Sequence, residues 1–126
     1  MNPEIAKACT DLGALAFRFA AINRVTHWPD LTTLESDTDH TVMLGLVACS
    51  VASKHAPHLD VGLIAQFSLV HDLVEAYAGD TNTFGGLSEA AVADKEEREA
   101  AALQRIRTEF GNTLPWVPDR LNSTNP

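Results

Sequence analysis

Apolar positions along this chain recur at helical spacing rather than in alternation. Ile5, Leu12, Leu15, Phe17, Ala20 and Ile22 mark a first helix from about Glu4 to Asn23, and Asn2-Pro3 reads as an N-cap followed by proline at the first helical position. The segment from Arg24 to Asp39 is polar and irregular, with Pro29 as a breaker. Ser36, Asp37 or Thr38 caps a second helix from about Asp39 to Lys54, and Pro57 ends that region. Asp60 caps a third helix that continues to about Ala78, with Gly79 as a left-handed terminator. Beyond a loop containing Gly85-Gly86, Ser88 caps a long fourth helix whose positive end is favoured by Glu89. It reaches Phe110 and stops at Gly111, with Leu103, Ile106 and Phe110 on its core face and a solvated charged face from Asp94 to Arg107. Leu114 to Pro118 reads as an ordered turn, and Asp119 to Asn122 as a short helical turn. The predicted class is all-α.

Composition narrows this picture. A chain of 126 residues builds one domain with its own core. A net charge of −8 argues against a dedicated binder of nucleic-acid polymers, which needs a basic face. It leaves room for a small anionic substrate, because a bound metal ion inverts the local field. Cys9 and Cys49 are far apart and form no CxxC pair, so the expectation is a reducing, cytoplasmic setting with both thiols buried. The longest apolar run, Val42 to Ala52, falls short of the roughly 20 residues that span a bilayer. No basic segment followed by an apolar one opens the chain, so no signal peptide is expected. The abrupt Ser123-Thr124-Asn125-Pro126 ending reads as a longer sequence cut short, or as one lacking a disordered remainder.

The chemistry concentrates in LVHDLVEAYAGD. An imidazole and a carboxylate, His71 and Asp72, stand side by side in an apolar stretch, where a buried charge needs a partner. On a continuous helix, His71 and Glu75 are four apart and Asp72 and Glu75 three apart, so all lie on neighbouring positions of one face. His71 offers a neutral nitrogen to a metal and Asp72 an oxygen, while Glu75 is placed to orient or deprotonate water. His40, in the first turn of the second helix, is kept neutral by the helix dipole and able to ligate. Asp80 falls at the rim of the same cleft, and Arg24 is a candidate clamp for a phosphate oxygen. His27 lines the pocket or is a solvated loop residue, whereas His55 and His58 flank Pro57 and read as surface groups. Ser68 and Thr41 have no base-and-orienter arrangement, so a nucleophile triad is not supported.

Glu35-Ser36…His40 followed by His71-Asp72-x-x-Glu75-x-x-x-Gly79-Asp80 resembles the HD-domain phosphohydrolases, in particular the small 5′-deoxynucleotidases and phage deoxynucleotide triphosphohydrolases. The resemblance covers about residues 15 to 110. It implies a compact HD-domain helical bundle across the single domain 1–126, and His40, His71 and Asp72 as metal ligands. Glu75 and Asp80 match acidic residues that position or activate water, Arg24 an arginine at the metal or phosphate, Trp28 an aromatic shaping the sugar pocket, and Lys95 a lysine reaching phosphate. The family's last ligand is an aspartate on a later helix, and no such helix precedes Pro126; the context of Asp119 does not resemble that motif. Either C-terminal helices are missing or the site is defective.

The resemblance therefore implies a divalent-metal-dependent phosphohydrolase of deoxynucleotides. It releases phosphate from a 5′-monophosphate or triphosphate from a triphosphate. The competing reading is a non-catalytic HD module that binds a nucleotide or a protein partner around a structural metal. Ligation by His and Asp suits Mn, Fe, Co, Ni or Zn alike. Relatives imply a homo-oligomer, for which the Ala-rich helix from Ser88 offers a surface; no membrane and no nucleic-acid polymer is expected as a partner.

Overall fold

The computed structural model describes residues 1–79 and 86–124. Six helices and one hairpin follow in the order α1 (Pro3–Ala20), β1 (Asn23–His27), β2 (Leu34–Ser36), α2 (Asp37–His55), α3 (Val61–Val70), α4 (Glu75–Ala78), α5 (Glu89–Phe110) and α6 (Trp116–Thr124). The all-α class holds, with the hairpin as an addition to it. Each long helix starts where a side chain satisfies an otherwise orphaned amide. Asn2 accepts from Glu4, Asp60 from Leu63 and Ser88 from Ala91. Ser36 accepts from the Asp39 amide while the Asp39 carboxylate accepts from Ser36, a reciprocal capping box.

Two of the places where the structure corrects the sequence reading shape the site. The first is the polar segment, which is not irregular. β1 and β2 pair antiparallel, with Asn23 opposite Ser36 and His27 opposite Leu34 and an irregularity between. Asp30 organises the turn, one carboxylate oxygen accepting from the amides of Thr32 and Thr33 and the other from the Thr33 hydroxyl. Those bonds, the Thr33 hydroxyl first, hold the Asp30 carboxyl down to about 2. Leu31 takes φ +63° to close the turn, and the Trp28 amide donates to Thr33 O at 2.8 Å. The strands are too short and too polar to leave a period-2 signature, so cross-strand bonds decide them.

The second correction is the third helix, which does not run unbroken to Ala78. The α-helical bonding ends at His71, whose amide donates to Phe67 O at 2.9 Å. Bonds to the residue three back then take over: Leu73 to Val70, Glu75 to Asp72, Ala76 to Leu73 and Tyr77 to Val74. Three-residue turns bring side chains three apart into register, so Asp72 and Glu75 align. Gly79 closes α4 at φ +79° and ψ 161°, an extended mirror-image conformation open in practice only to glycine.

The core joins Leu15 and Phe19 of α1, Val70, Leu73 and Val74 of the α3–α4 turn, Ala102, Ile106 and Phe110 of α5, and Val117 and Leu121 of α6. The tail expected to be a turn and a brief helical segment is thus a core element. Arg120 also ties α6 to α3 through Gln66 at 2.8 Å. Neither thiol meets the expectation of burial: Cys9 is exposed and Cys49 half-buried, both free. Among the described residues no helix is long and apolar enough to cross a membrane.

Leu121 is 0% exposed and Phe17 82% exposed, so the two truncations separate core from surface. Leu121→Ala is expected to cost about 3 kcal/mol in chemical denaturation and Phe17→Ala under about 0.5 kcal/mol. Equal losses would mean that α6 is not part of the cooperative core.

Candidate metal centre

Three elements deliver the candidate ligands. The capping box fixes the first turn of α2 and with it His40; the end of α3 carries His71, and the tight turn after it carries Asp72. One ligand atom from each of His40, His71 and Asp72 lies within 4.8 Å of the others. The imidazole rings are 5.6 Å apart, inclined at 49°. His71 Nδ1 lies 2.8 Å from Ser68 O, to which it donates, so Nε2 is the nitrogen turned toward the cluster, 3.0 Å from Asp72 Oδ2. Fixing a ring by a bond from its far nitrogen is the usual support of a metal-ligating histidine. His40 is oriented likewise, with Nδ1 3.4 Å from Glu35 Oε1 and Nε2 3.8 Å from Asp72 Oδ2.

Carboxylates outnumber cations here. Arg24, carried in by β1, faces Glu35 at 3.9 Å, Asp37 at 3.4 Å, Asp72 at 3.2 Å and Glu75 at 3.9 Å. Asp37 and Glu75 are buried, at 0% and 8% exposure. Among the described residues one guanidinium faces four carboxylates, and like charges this close repel. The surplus of negative charge, two oriented imidazoles and a shared carboxylate oxygen together fit a divalent cation held by His40, His71 and Asp72.

Local electrostatics agree with this. The hydrogen bond to Asp72 raises the His71 pKa above its ordinary value, against the opposing effect of burial. Burial works against ionisation of Asp72, yet the His71 bond and the charges of His71, Arg24 and His40 outweigh it, and the carboxyl stays below its usual range. Asp72 is therefore ionised at neutral pH, as a ligand must be.

Glu75 begins α4, a single turn too short to stand alone. Arg18 of α1 donates to Ala76 O at 2.7 Å, and Arg98 of α5 donates to Ala78 O. The Tyr77 ring meets the guanidinium of Arg105, 3.7 Å from its centroid, and that of Arg18, at 4.9 Å. Its hydroxyl donates to Glu109, and burial together with that bond pushes it up to about 12.

The sequence-predicted residues thus separate. His40, His71, Asp72, Glu75 and Arg24 come together. Trp28, 45% exposed, sits on the hairpin and lines a cavity of about 310 Å³ with Thr38, Asp39, Val42 and Met43, beside His40's turn. Lys95 instead pairs with Glu99 on its own helix at 3.1 Å. Asp80 lies outside the described residues. His27, His55 and His58 are exposed. Sequence reasoning assigned no site role to Glu35 or to Asp37. The density of acids in ESDTDH, immediately before the first candidate ligand, was the available signal for both.

A search of curated proteins returns no match. Among solved structures the chain is similar to a predicted metal-dependent phosphohydrolase from Magnetospirillum magnetotacticum MS-1, with a TM-score of 0.70 and 27% identity. That alignment covers 94% of this chain and 56% of the other, so this chain spans little more than half of that relative. The HD domain family matches residues 21–117, which contain the hairpin, both histidines, Asp72 and Glu75. On that extent of match, the chain belongs to the HD domain family.

Proposed function

We propose that the chain is the metal-binding part of a divalent-metal-dependent phosphohydrolase acting on deoxynucleotides. The observation that carries this reading is the convergence of His40, His71 and Asp72 within 4.8 Å, beside a buried Glu75 and one arginine. The similarity to a predicted metal-dependent phosphohydrolase supports the reaction class. The deoxynucleotide rests on the sequence resemblance and on Trp28, whose open cavity beside α2 suits a sugar or base.

A bound divalent cation supplies charge that polarises a phosphoryl oxygen and acidifies water. The chain's own groups do the rest. Glu75, held by the α4 turn, takes the proton that the attacking water loses, with Asp80 as the alternative on sequence grounds. Arg24 already faces the carboxylates of the cluster and is the guanidinium nearest to an incoming phosphate. The bond from phosphorus to the 5′ oxygen breaks, and that oxygen ends as the nucleoside hydroxyl. The leaving phosphate or triphosphate names the subclass.

Ligand count favours the second reading, a nucleotide- or protein-binding module with a structural metal, because the cluster among the described residues has three ligands. The two readings separate in one assay. Deoxynucleoside mono- and triphosphates are incubated with Mn²⁺ or Co²⁺, and released phosphate and triphosphate are measured. His71→Ala and Asp72→Ala are expected to abolish both metal binding and product. Glu75→Gln is expected to keep the metal and lose roughly 100-fold or more in rate. Metal binding with no product from any substrate would leave the module reading standing.

Metal affinity should also depend on pH. His71 has a raised pKa, so a proton competes with the metal to a higher pH than on an ordinary histidine, whereas Asp72, with a lowered pKa, does not protonate in that range. Affinity measured by calorimetry is therefore expected to fall about tenfold per pH unit below the His71 pKa, with proton release on binding. A flat profile from about pH 8.5 to pH 6 would place the metal elsewhere.

A further inference from the structure

Asp37 is the most deeply buried acid among the described residues, at 0% exposure, yet it is not one of the candidate ligands. Its position is fixed from two sides. As the first residue of α2 it follows the capping residue Ser36, and the positive end of a helix favours a carboxylate there. Its amide donates to Ile22 O at 2.9 Å, which ties it to the chain just before β1. Arg24 stands two residues beyond Ile22, and Asn23 between them lies opposite Ser36 in the hairpin. The hairpin register therefore sets Arg24 beside Asp37, and Arg24 Nη1 donates to Asp37 Oδ1 at 3.4 Å.

The same Nη1 donates to Asp72 Oδ2 at 3.2 Å. Both imidazoles face that oxygen too, His71 Nε2 at 3.0 Å and His40 Nε2 at 3.8 Å. A divalent cation held by His40, His71 and Asp72 thus shares Asp72 with a guanidinium, and the two positive charges repel. Arg24 is a rival for the oxygen as well as its neighbour.

We infer that Asp37 is a positioning residue for the metal centre: it holds Arg24 back from Asp72 and so keeps that carboxylate open to a divalent cation. Two carboxylates divide one guanidinium nitrogen, at 3.4 and 3.2 Å, so neither has it outright. Without the Asp37 charge, Asp72 is the carboxylate closest to Arg24, with Glu35 and Glu75 both at 3.9 Å. A guanidinium released on one side pairs with a single carboxylate through two parallel bonds, a geometry that takes both oxygens of Asp72. Asp37 does not act as a ligand itself, because among the described residues the ligand atoms that gather within 4.8 Å come from His40, His71 and Asp72. Its influence passes through Arg24. The pair lies inside the described fold, with Asp37 fully enclosed and the Arg24 side chain 23% exposed. This role rests on the metal-binding reading of the site, not on its substrate or on hydrolysis.

Calorimetry with Mn²⁺ alone, without nucleotide, tests the role as a double-mutant cycle. Asp37→Asn is expected to weaken Mn²⁺ binding about 10-fold, the size of coupling within one ion-pair network, and Arg24→Met to strengthen it. The combined variant decides. With Arg24→Met in place no rival cation is left to settle on Asp72, so adding Asp37→Asn is expected to change the affinity by under about 3-fold. A fold weakened by Asp37→Asn would not be cured in this way. If Asp37 acted only by its own charge, Asp37→Asn would cost as much or more once the guanidinium that offsets it is gone. That result would overturn the inference, as would an Asp37→Asn chain of unchanged affinity. Arg24→Gln, polar and uncharged, is the second background if Arg24→Met does not fold, and circular dichroism with chemical denaturation checks each variant. A chain that binds no Mn²⁺ in any form would overturn the metal centre together with this role. Mn²⁺ binding without hydrolysis of any nucleotide would remove the reaction and not this role.

Discussion

One guanidinium holds the site together. Arg24 reaches carboxylates on β2, on the first turn of α2, on the turn after α3 and on α4, all within 3.9 Å. The hairpin that carries Arg24 thus acts as a clamp between helices. The arrangement is stable only while the charge is nearly balanced. Like charges gathered in a partly buried site repel one another. A divalent cation between His40, His71 and Asp72 relieves that strain, so the demand for metal comes from the carboxylates around the ligands as much as from the ligands themselves.

This explains which parts of the molecule were legible in the sequence. Helix starts depend on one side chain and an amide two or three residues on, and Asn2, Ser36, Asp60 and Ser88 were readable for that reason. The hairpin was not, because its pairing spans Asn23 to Ser36 and its turn is made by bonds to Asp30 and a left-handed Leu31. Nor was the break after His71. Residues 71–74 contain no glycine or proline to mark it, and the switch to shorter bonds is set by packing against the core. His71, Asp72 and Glu75 were visible as a group from spacing, but for a partly different geometry: a continuous helix spreads Asp72 and Glu75 around its axis, whereas the tight turn aligns them. Asp37, the most buried acid at the site, was read only as a possible cap.

α2 has two roles that meet at its N-terminal end. Its first turn presents His40, fixed by the capping box, and the rest presents an apolar outer surface. The same absence of charge that lets α2 lie against α3 at Gly45 leaves its other side without a solvating layer. Asp39 and Lys54 frame that surface, and His40 stands at its N-terminal edge.

The placement of Glu75 is the least self-sufficient part of the fold. α4 is four residues long, and its stability comes from cations behind it. Arg18 and Arg98 donate to the carbonyls of Ala76 and Ala78, and Arg18 and Arg105 lie against the Tyr77 ring, whose neutral hydroxyl is kept as a donor to Glu109. In a chain with 9 lysines and arginines against 17 acidic residues, three arginines are committed to the rear of one turn, and among the described residues Arg24 is the guanidinium at its front. The division has a physical reason. Helix carbonyls at a C-terminus attract cations and give them directional bonds, so arginines there fix the backbone without adding charge to the cluster. A cation added in front would instead compete with the metal for Asp72. The net negative field around the ligands and the rigidity of Glu75 thus both follow from where the few positive charges are put.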